Sequence, residues 1–465
     1  MATLYVSSVD GSDSDNGSTW ALAKATIAGA LAVATDSENI IYVDSSHNFA
    51  PTAAINWNPA ADNIQVAIIS VNRSTGAWLA GAAETVNVNA QAFSIGSTGT
   101  TGAAWKLFVF GMVITGNSGS STNNKINIGT DSDSASFFVF RDCVLSTPGT
   151  STNATLIFGG GSSFNWESKT FRFINCTLKL TDNVSGIPVS VQWLLFLRFE
   201  NCVFQSAGTA KPTEIFSTTG TGHSTRAELI QLLNCNLTAL DGGTAIVNVA
   251  GFTKGGRLEI VNSALGSGMT FTTGSWSSLG RFEVTAINCD SGDTNYKFRY
   301  QNRLGTLVES TSVYASDGFE FGGLTPLSWQ IVTTSQCNEF EPFVTPWMVR
   351  WNDSTSAQTA SLEVVHDSAT ALHDRNLWAE FEYLSNASYP LGTLASARNA
   401  QPFDGSSSNW GAGSATWTGT GGFSNENKQK VTKAFTAAEK SPLRGRLFVA
   451  AASKTLYLDP QERLA

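Results

Sequence analysis

One line recurs six times between residues 138 and 289, and it limits what this chain can fold into more than any other feature. The copies are Phe-Val-Phe-Arg-Asp-Cys (138–143), Phe-Arg-Phe-Ile-Asn-Cys (171–176), Leu-Arg-Phe-Glu-Asn-Cys (197–202), Ile-Gln-Leu-Leu-Asn-Cys (230–235), Leu-Glu-Ile-Val-Asn-Ser (258–263) and Val-Thr-Ala-Ile-Asn-Cys (284–289). From Cys143 the intervals to Cys176, Cys202, Cys235, Ser263 and Cys289 are 33, 26, 33, 28 and 26 residues. Repetition at that length predicts stacked structural units whose insertions fall in loops.

Side-chain parity specifies the unit. With Asn or Asp counted as zero, positions minus 4 and minus 2 are apolar (Phe171 and Phe173, Leu197 and Phe199, Ile230 and Leu232, Leu258 and Ile260), which is the period of a strand. After it the apolar positions are plus 1 and plus 3 (Cys176 and Leu178, Cys202 and Phe204, Cys235 and Leu237), so the inward set changes parity at the Asn. A straight strand cannot do this. A corner can, and Asn tolerates the left-handed backbone that a tight corner needs. Each line therefore predicts two strands meeting at an Asn bend, stacked on the same bend of the next coil.

This pattern resembles the asparagine ladder of right-handed parallel β-helices, the pectate-lyase-like architecture. Gly111-Met112 stands where later copies have Asn-Cys, and Ile40–Val43 and Val66–Val71 read as earlier rungs. The count comes to roughly ten rungs and a rod on the order of 50 Å, at a strand spacing of about 4.8 Å.

At the N-terminal side, Tyr5-Val6-Ser7 reads as a strand and residues 10–17 as a polar turn. Ser18 would cap a helix in which Trp20, Ala23, Ile27, Ala30, Leu31 and Ala34 recur at helical spacing. Such a helix would cover the open strand edges of the first coil. The segment resembles the N-terminal cap of many phage and bacterial β-helix proteins. The Asp-rich turn does not make a calcium loop, because aligned from Asp13 its twelfth position is Lys24 where a bidentate Glu is needed.

Pro326, Pro342 and Pro346 precede a stretch of different character. There Ser361–His366, Leu377–Tyr383, Leu443–Val449 and Thr455–Leu458 have strand patterns between Gly/Ser loops, which predicts a β-sandwich. The expected organisation is all-β: a capping segment at 1–40, a parallel β-helix at 41–340 and a C-terminal sandwich at 341–465.

Composition narrows the function. Charged residues make up 14% of the chain, the net charge is −9, and the longest basic cluster is Lys428-Gln-Lys430, which leaves no electrostatic footprint for nucleic acid. The start carries neither a basic nor an apolar signal segment, and no run approaches the ~18 apolar residues of a membrane span, so a soluble protein made in a cytoplasm is expected. Five of six Cys fall on the repeat line, where stacked side chains stand too far apart and too parallel for disulfides, and a buried thiol stack follows. No cofactor and no metal is expected; His366-Asp367 and His373-Asp374 match no metal-ligand spacing.

The one catalytic candidate is a carboxylate pair on the outer face. Glu259 at minus 3 and Glu283 at minus 5 of adjacent rungs would hold backbones roughly 8 Å apart, within the separation of inverting glycosidases. Arg172, Arg198 and Gln231 in the Glu259 column, and the lack of flanking aromatic subsites, favour an ordinary solvated surface. Val139, Ile174, Leu233, Val261 and Ile287 also occupy outward positions, an apolar column that a loop or another chain should cover.

The Tyr-Val-Ser cap, residues 68–77, the Asn-Cys lines and Leu456-Tyr-Leu-Asp-Pro460 together resemble bacteriophage β-helix virion proteins. That resemblance implies a structural protein located in the virion: a capsid decoration or cement protein or a head fibre, a homotrimer, with the major capsid protein as partner. The first rung begins within a few residues of Met1, which favours decoration over a tailspike carrying a separate virion-binding domain. The alternatives are a tailspike depolymerase cleaving host surface polysaccharide and a non-catalytic adhesin binding a host glycan.

Overall fold

The computed structural model describes the chain apart from residues 51–53, 62, 87–92, 97–104, 117–124, 130–135, 149–154, 160–168, 182–187, 192–194, 219–226, 277–280, 291–294, 311–327, 339, 353–356, 367–376, 384–398, 402–409, 414–426, 437–440, 459–462 and 465. The protein is all-β with almost no helix, and it divides into two compact units, Met1–Tyr296 and Lys297–Ala465.

In the first unit every repeat line forms one strand of a ten-stranded, wholly parallel sheet. It begins with Ala2–Val6, Glu38–Asp44, Gln65–Val71, Lys106–Phe110 and Phe137–Arg141, and continues in chain order to Phe282–Asp290. The register follows the repeat: Phe138 lies beside Phe171, Phe171 beside Leu197, Leu197 beside Ile230, and Ile230 beside Leu258. A second parallel sheet of eight strands runs from Ile55–Trp57 to Thr270–Thr273. A third, of six strands, runs from Asn48–Phe49 to Val203–Ser206 and is continued by single bridges through Asn236 and Ala264 to Asp290.

The predicted corner is present. Asp142, Asn175, Asn201, Asn234, Asn262 and Asn288 all have φ between 50° and 54°, and Gly111 takes the same place at φ 71°. The described residues at minus 4, minus 2, plus 1 and plus 3 are buried, so the inward set does change parity at the bend. Inside, Phe138 stacks on Phe171 (5.1 Å, 7° between planes), Phe140 on Phe173 (5.0 Å, 7°) and Phe173 on Phe199 (5.0 Å, 19°). Phe158 of the second sheet meets Phe171 and Phe173 at 5.5 and 5.4 Å, and Phe204 of the third sheet meets Phe199 at 5.1 Å, so the three sheets share one core.

Four expectations need correction. Residues 1–40 are not a separate cap, since Ala2–Val6 is the first strand of the long sheet. The helix is only Ile27–Leu31, preceded by a 3-10 turn at Trp20–Leu22, and its cap is Thr26 rather than Ser18. The chain between them is held extended, because Lys24 exchanges backbone hydrogen bonds with the Tyr5–Ser7 edge and its backbone is thereby kept out of a helix. The Asp-rich turn is a latch: Asp13 accepts from the amide and the hydroxyl of Thr26 (3.0 and 2.8 Å).

The division falls at 296/297, not at 340, because the strands Gly305–Ser310 and Ser328–Thr333 pair antiparallel with each other, and the latter with Thr455–Leu458. The second unit is antiparallel throughout its described strands. One sheet includes these three strands, Ala357–His366 and Asn427–Thr436; another joins Phe343–Val344, Met348–Asn352, Ser441–Val449 and Leu377–Tyr383. Leu307, Ile331, Val364 and Leu456 from the former share a core with Phe343, Leu377 and Leu447 from the latter.

Candidate functional site

One face of the ten-stranded sheet is core and the other faces outward. Pleating leaves three outward positions per strand, and the parallel register lines them into columns. At minus 3 stand Ile40, Ala67, Phe108, Val139, Arg172, Arg198, Gln231 and Glu259; at minus 1 stand Tyr42, Ile69, Phe110, Arg141, Ile174, Glu200, Leu233, Val261 and Ile287. The face is thus apolar at its N-terminal end and charged in its middle.

At the apolar end the minus 1 column is covered by loops of the same unit. Trp20 lies 4.7 Å from Tyr5, Trp78 lies 5.0 Å from Phe110, and Ile69 and Phe110 are buried beneath them. The Arg73 guanidinium sits 5.4 Å over the Trp20 ring and pairs with Asp10 at 2.6 Å, holding the Asp10 carboxyl below its ordinary range. The minus 3 column stays open as a groove of about 400 Å³ floored by Ile40, Ala67, Phe108 and Val139.

In the middle, Glu200 takes two guanidiniums: Arg172 at 2.5 and 3.0 Å across the strands, and Arg198 at 2.8 Å along its own strand. Those hydrogen bonds, from Arg172 above all, lower the Glu200 pKa and raise that of Arg172. The candidate carboxylates lie further on. Their strands are neighbours and the register places Glu259 beside Thr285 and Glu283 beside Arg257, the two-residue offset that the spacing predicts. Glu259, however, is engaged on both oxygens, by Arg257 at 3.2 Å and by the Gln231 amide at 2.9 Å. Glu259 thus sits in a surface network of one ion pair and one hydrogen bond.

The outward apolar column is only half covered: Val139, Ile174, Leu233 and Val261 are half-buried and Ile287 is 41% exposed. The Asn bends also lie on the outside. Asn175 donates to Asp142 (3.1 Å), Asn201 to Asn175 (3.2 Å) and Asn288 to Asn262 (2.8 Å), so a ladder of side-chain hydrogen bonds runs along the exposed outside.

The cysteines are inert filler. Cys143, Cys176, Cys202, Cys235 and Cys289 are free and buried, and each thiol donates to the carbonyl of the residue two before it, at 3.3–3.4 Å. Burial raises the pKa of Cys176 and Cys289, which opposes thiolate chemistry. No group of three or more His, Cys, Asp or Glu is placed to hold a metal among the described residues; Asp367, His373 and Asp374 lie outside them.

Two features escaped sequence reading. Gly96, Gly129 and Gly159 end strands of the second sheet at φ 57°, 62° and 67°, a second column of bends signalled only by an apolar-x-apolar-Gly pattern. A Cβ on Gly129 would lie 2.8 Å from Phe171 and 2.9 Å from Phe138, so the bend also makes room for the ring stack. The other is His47, 1% exposed with no hydrogen-bond partner on either ring nitrogen among the described residues; burial pushes its pKa down to about 4 against an opposing effect of Asp44.

No protein-family model and no curated protein matches the chain. No helix among the described residues is long and apolar enough to cross a membrane.

Proposed function

We propose that the three parallel sheets wind as a right-handed parallel β-helix, that the second unit is a β-sandwich, and that the protein is a structural component of a bacteriophage virion. In this reading it is a capsid decoration or cement protein or a head fibre, assembled as a homotrimer on the major capsid protein and located in the virion. The observation that carries a structural rather than an enzymatic role is the state of the outer face: Glu259 is ion-paired with Arg257 and hydrogen-bonded by the Gln231 amide. The rest of the repeat is devoted to rigidity, with stacked rings inside, registered bends outside and thiols closing carbonyls.

The test is to raise antibody against the purified protein and image labelled particles. Label on heads supports decoration, label on tail fibres moves the protein to the tail, and particles without label sink the virion assignment. Incubating the protein with host capsular polysaccharide or lipopolysaccharide and assaying new reducing ends decides against the structural role if ends appear and if Glu259→Gln with Glu283→Gln abolishes them.

A further inference from the structure

The minus 3 column of the ten-stranded sheet dips where it passes Ala67. The Ala67 methyl stands between the larger side chains of Ile40 and Phe108 on the two neighbouring strands, with Val139 one strand further on. That dip is the groove of about 400 Å³, and Phe137, 41% exposed, and Met1 stand at its rim. A space of this size falls within the range of small-ligand sites, about 300–1,000 Å³.

The lining narrows the occupant. Glu38–Asp44 lies paired between Ala2–Val6 and Gln65–Val71, and Lys106–Phe110 between Gln65–Val71 and Phe137–Arg141. The groove is therefore on the face of a sheet and presents no row of open main-chain groups, and its floor is almost wholly apolar. A peptide or a sugar laid there would leave its own polar groups without partners, at a cost that an alkyl chain does not meet. Charge adds the head group. Glu38, Gln65, Lys106 and Phe137 form the minus 5 column that borders the groove. Lys106 is exposed, and its ammonium pairs with no carboxylate among the described residues. The Met1 ammonium, at the Glu38 end, is taken by Asp36 at 3.2 Å. An anion is thus attracted to the Lys106 end and repelled from the Glu38 end.

We propose that this groove binds a free medium-chain carboxylate, with its head group on the Lys106 ammonium and its chain laid over Phe108, Ala67 and Ile40. From the strand of Lys106 to that of Glu38 is two strand spacings, about 10 Å. A saturated chain with bonds of about 1.5 Å at tetrahedral angles advances about 1.25 Å per carbon, so roughly eight to ten carbons match the floor. The floor is one side-chain column wide, which suits a single chain and not the paired chains of a membrane lipid.

Calorimetric titration of the whole protein with sodium decanoate, below its micelle concentration, tests this. Wild type should bind one equivalent, and hexanoate, four methylenes shorter, should bind roughly tenfold more weakly. Ala67→Phe fills the dip from the outer face and should weaken decanoate binding at least about tenfold. Lys106→Glu should weaken decanoate and favour decyltrimethylammonium, a reversal of preference that loss of structure does not produce. Native cysteines that stay unlabelled verify that both variants fold. Wild type without saturable decanoate binding, Ala67→Phe that binds as tightly as wild type, or Lys106→Glu that keeps the preference for the anion each overturns the proposal. Flotation with phosphatidylglycerol vesicles separates the free ligand from a membrane: vesicle binding that Ala67→Phe abolishes, without binding of decanoate, overturns the free carboxylate and makes the groove a lipid contact.

Discussion

The two units are both built of strands, yet they differ in how far along the chain each contact reaches. In Met1–Tyr296 the bonds between neighbouring strands of the repeat join residues 26 to 36 apart, as in Asn201 to Asn175 and Cys235 to Phe199. In Lys297–Ala465 Leu447 donates to Thr345 across 102 residues, and Gln330 to Tyr457 across 127. The first unit solves one packing problem repeatedly with the nearest available partner. The second has local pairings such as the hairpin of Asn295–Asn302 with Gly305–Ser310, but it completes its sheets only by closing long loops, so its folding is the slower and its cooperativity the more global. A stacked repeat instead sums local terms, and damage there stays near the damaged row.

The largest expected effect tests that locality. Phe173 stacks on Phe140 and Phe199 and meets Phe158 edge-on, all in the first core. Phe173→Ala should cost about 3–5 kcal/mol through lost burial and the cavity left behind. Hydrogen exchange should accelerate in the flanking rows, with amides around Leu447 and Leu456 unchanged. Phe343→Ala, of comparable burial in the second core, should instead raise exchange throughout that unit. Equal spreading in both cases breaks the contrast.

Acid separates the units next. His47 is buried and neutral, with its pKa lowered by burial to about 4 from an unfolded value near 6.5. The unfolded chain therefore binds the extra proton first. The corresponding stability is complete above pH 6.5 and disappears as pH falls through 4, a loss on the order of 3 kcal/mol. His47→Leu should remove this dependence. It is measured by thiol labelling, with Cys143, Cys176 and Cys202 reporting on the first unit and Cys337 on the second. Simultaneous labelling of both sets between pH 6.5 and 4 would contradict a local switch.

A smaller effect belongs to the bends. Asn201 is exposed, so its amide adds little; its value lies in tolerating φ 53°. Asn201→Ala should cost about 1 kcal/mol from the left-handed backbone, and Asn201→Gly should stay within about 0.5 kcal/mol of wild type in a denaturant titration. The second unit has one described residue in the same region outside glycine, Ser453 at φ 53°, and Ser453→Asn should gain a few tenths of a kcal/mol. Arg198→Ala, at a surface ion pair, should cost under about 0.5 kcal/mol.

The same difference in reach explains what could be read without coordinates. Parity around Asn175, Asn201 and Asn234 is a local pattern repeated in register, and it locates the bends, the buried thiols and the inward Phe residues. Strands such as Leu377–Tyr383 and Thr455–Leu458 were legible singly, from alternation. Their partners are not, because pairing Thr455–Leu458 with Ser328–Thr333 leaves no trace in either segment alone, and neither does the division at 296/297. The carboxylate pair shows the limit at the surface: register predicted where Glu259 and Glu283 stand, but whether Arg257 lies along the strand and neutralises Glu259 depends on side-chain conformation.

The smallest predicted effect concerns the one departure in the thiol stack. Ser263 occupies the place of Cys, donating from its hydroxyl to the Val261 carbonyl at 3.0 Å and accepting from the Cys235 amide at 3.0 Å. A thiol there would keep the first bond in the weaker form seen at Cys289, whose sulfur lies 3.4 Å from the Ile287 carbonyl, and would weaken the second. Against that loss it adds apolar volume in a site 2% exposed. Hydrogen bonds of this kind have a net worth of about 1 kcal/mol and burial of a small group roughly as much, so Ser263→Cys should change stability by less than about 0.5 kcal/mol. The reverse change in the second unit, Cys337→Ser, places a hydroxyl beside the Leu304 carbonyl and the backbone of Phe343 and Thr334 within a non-repeating core. It should cost more than Ser263→Cys, and denaturant titrations giving equal or inverted costs would show that the stack does not select its residue by what the adjacent row presents.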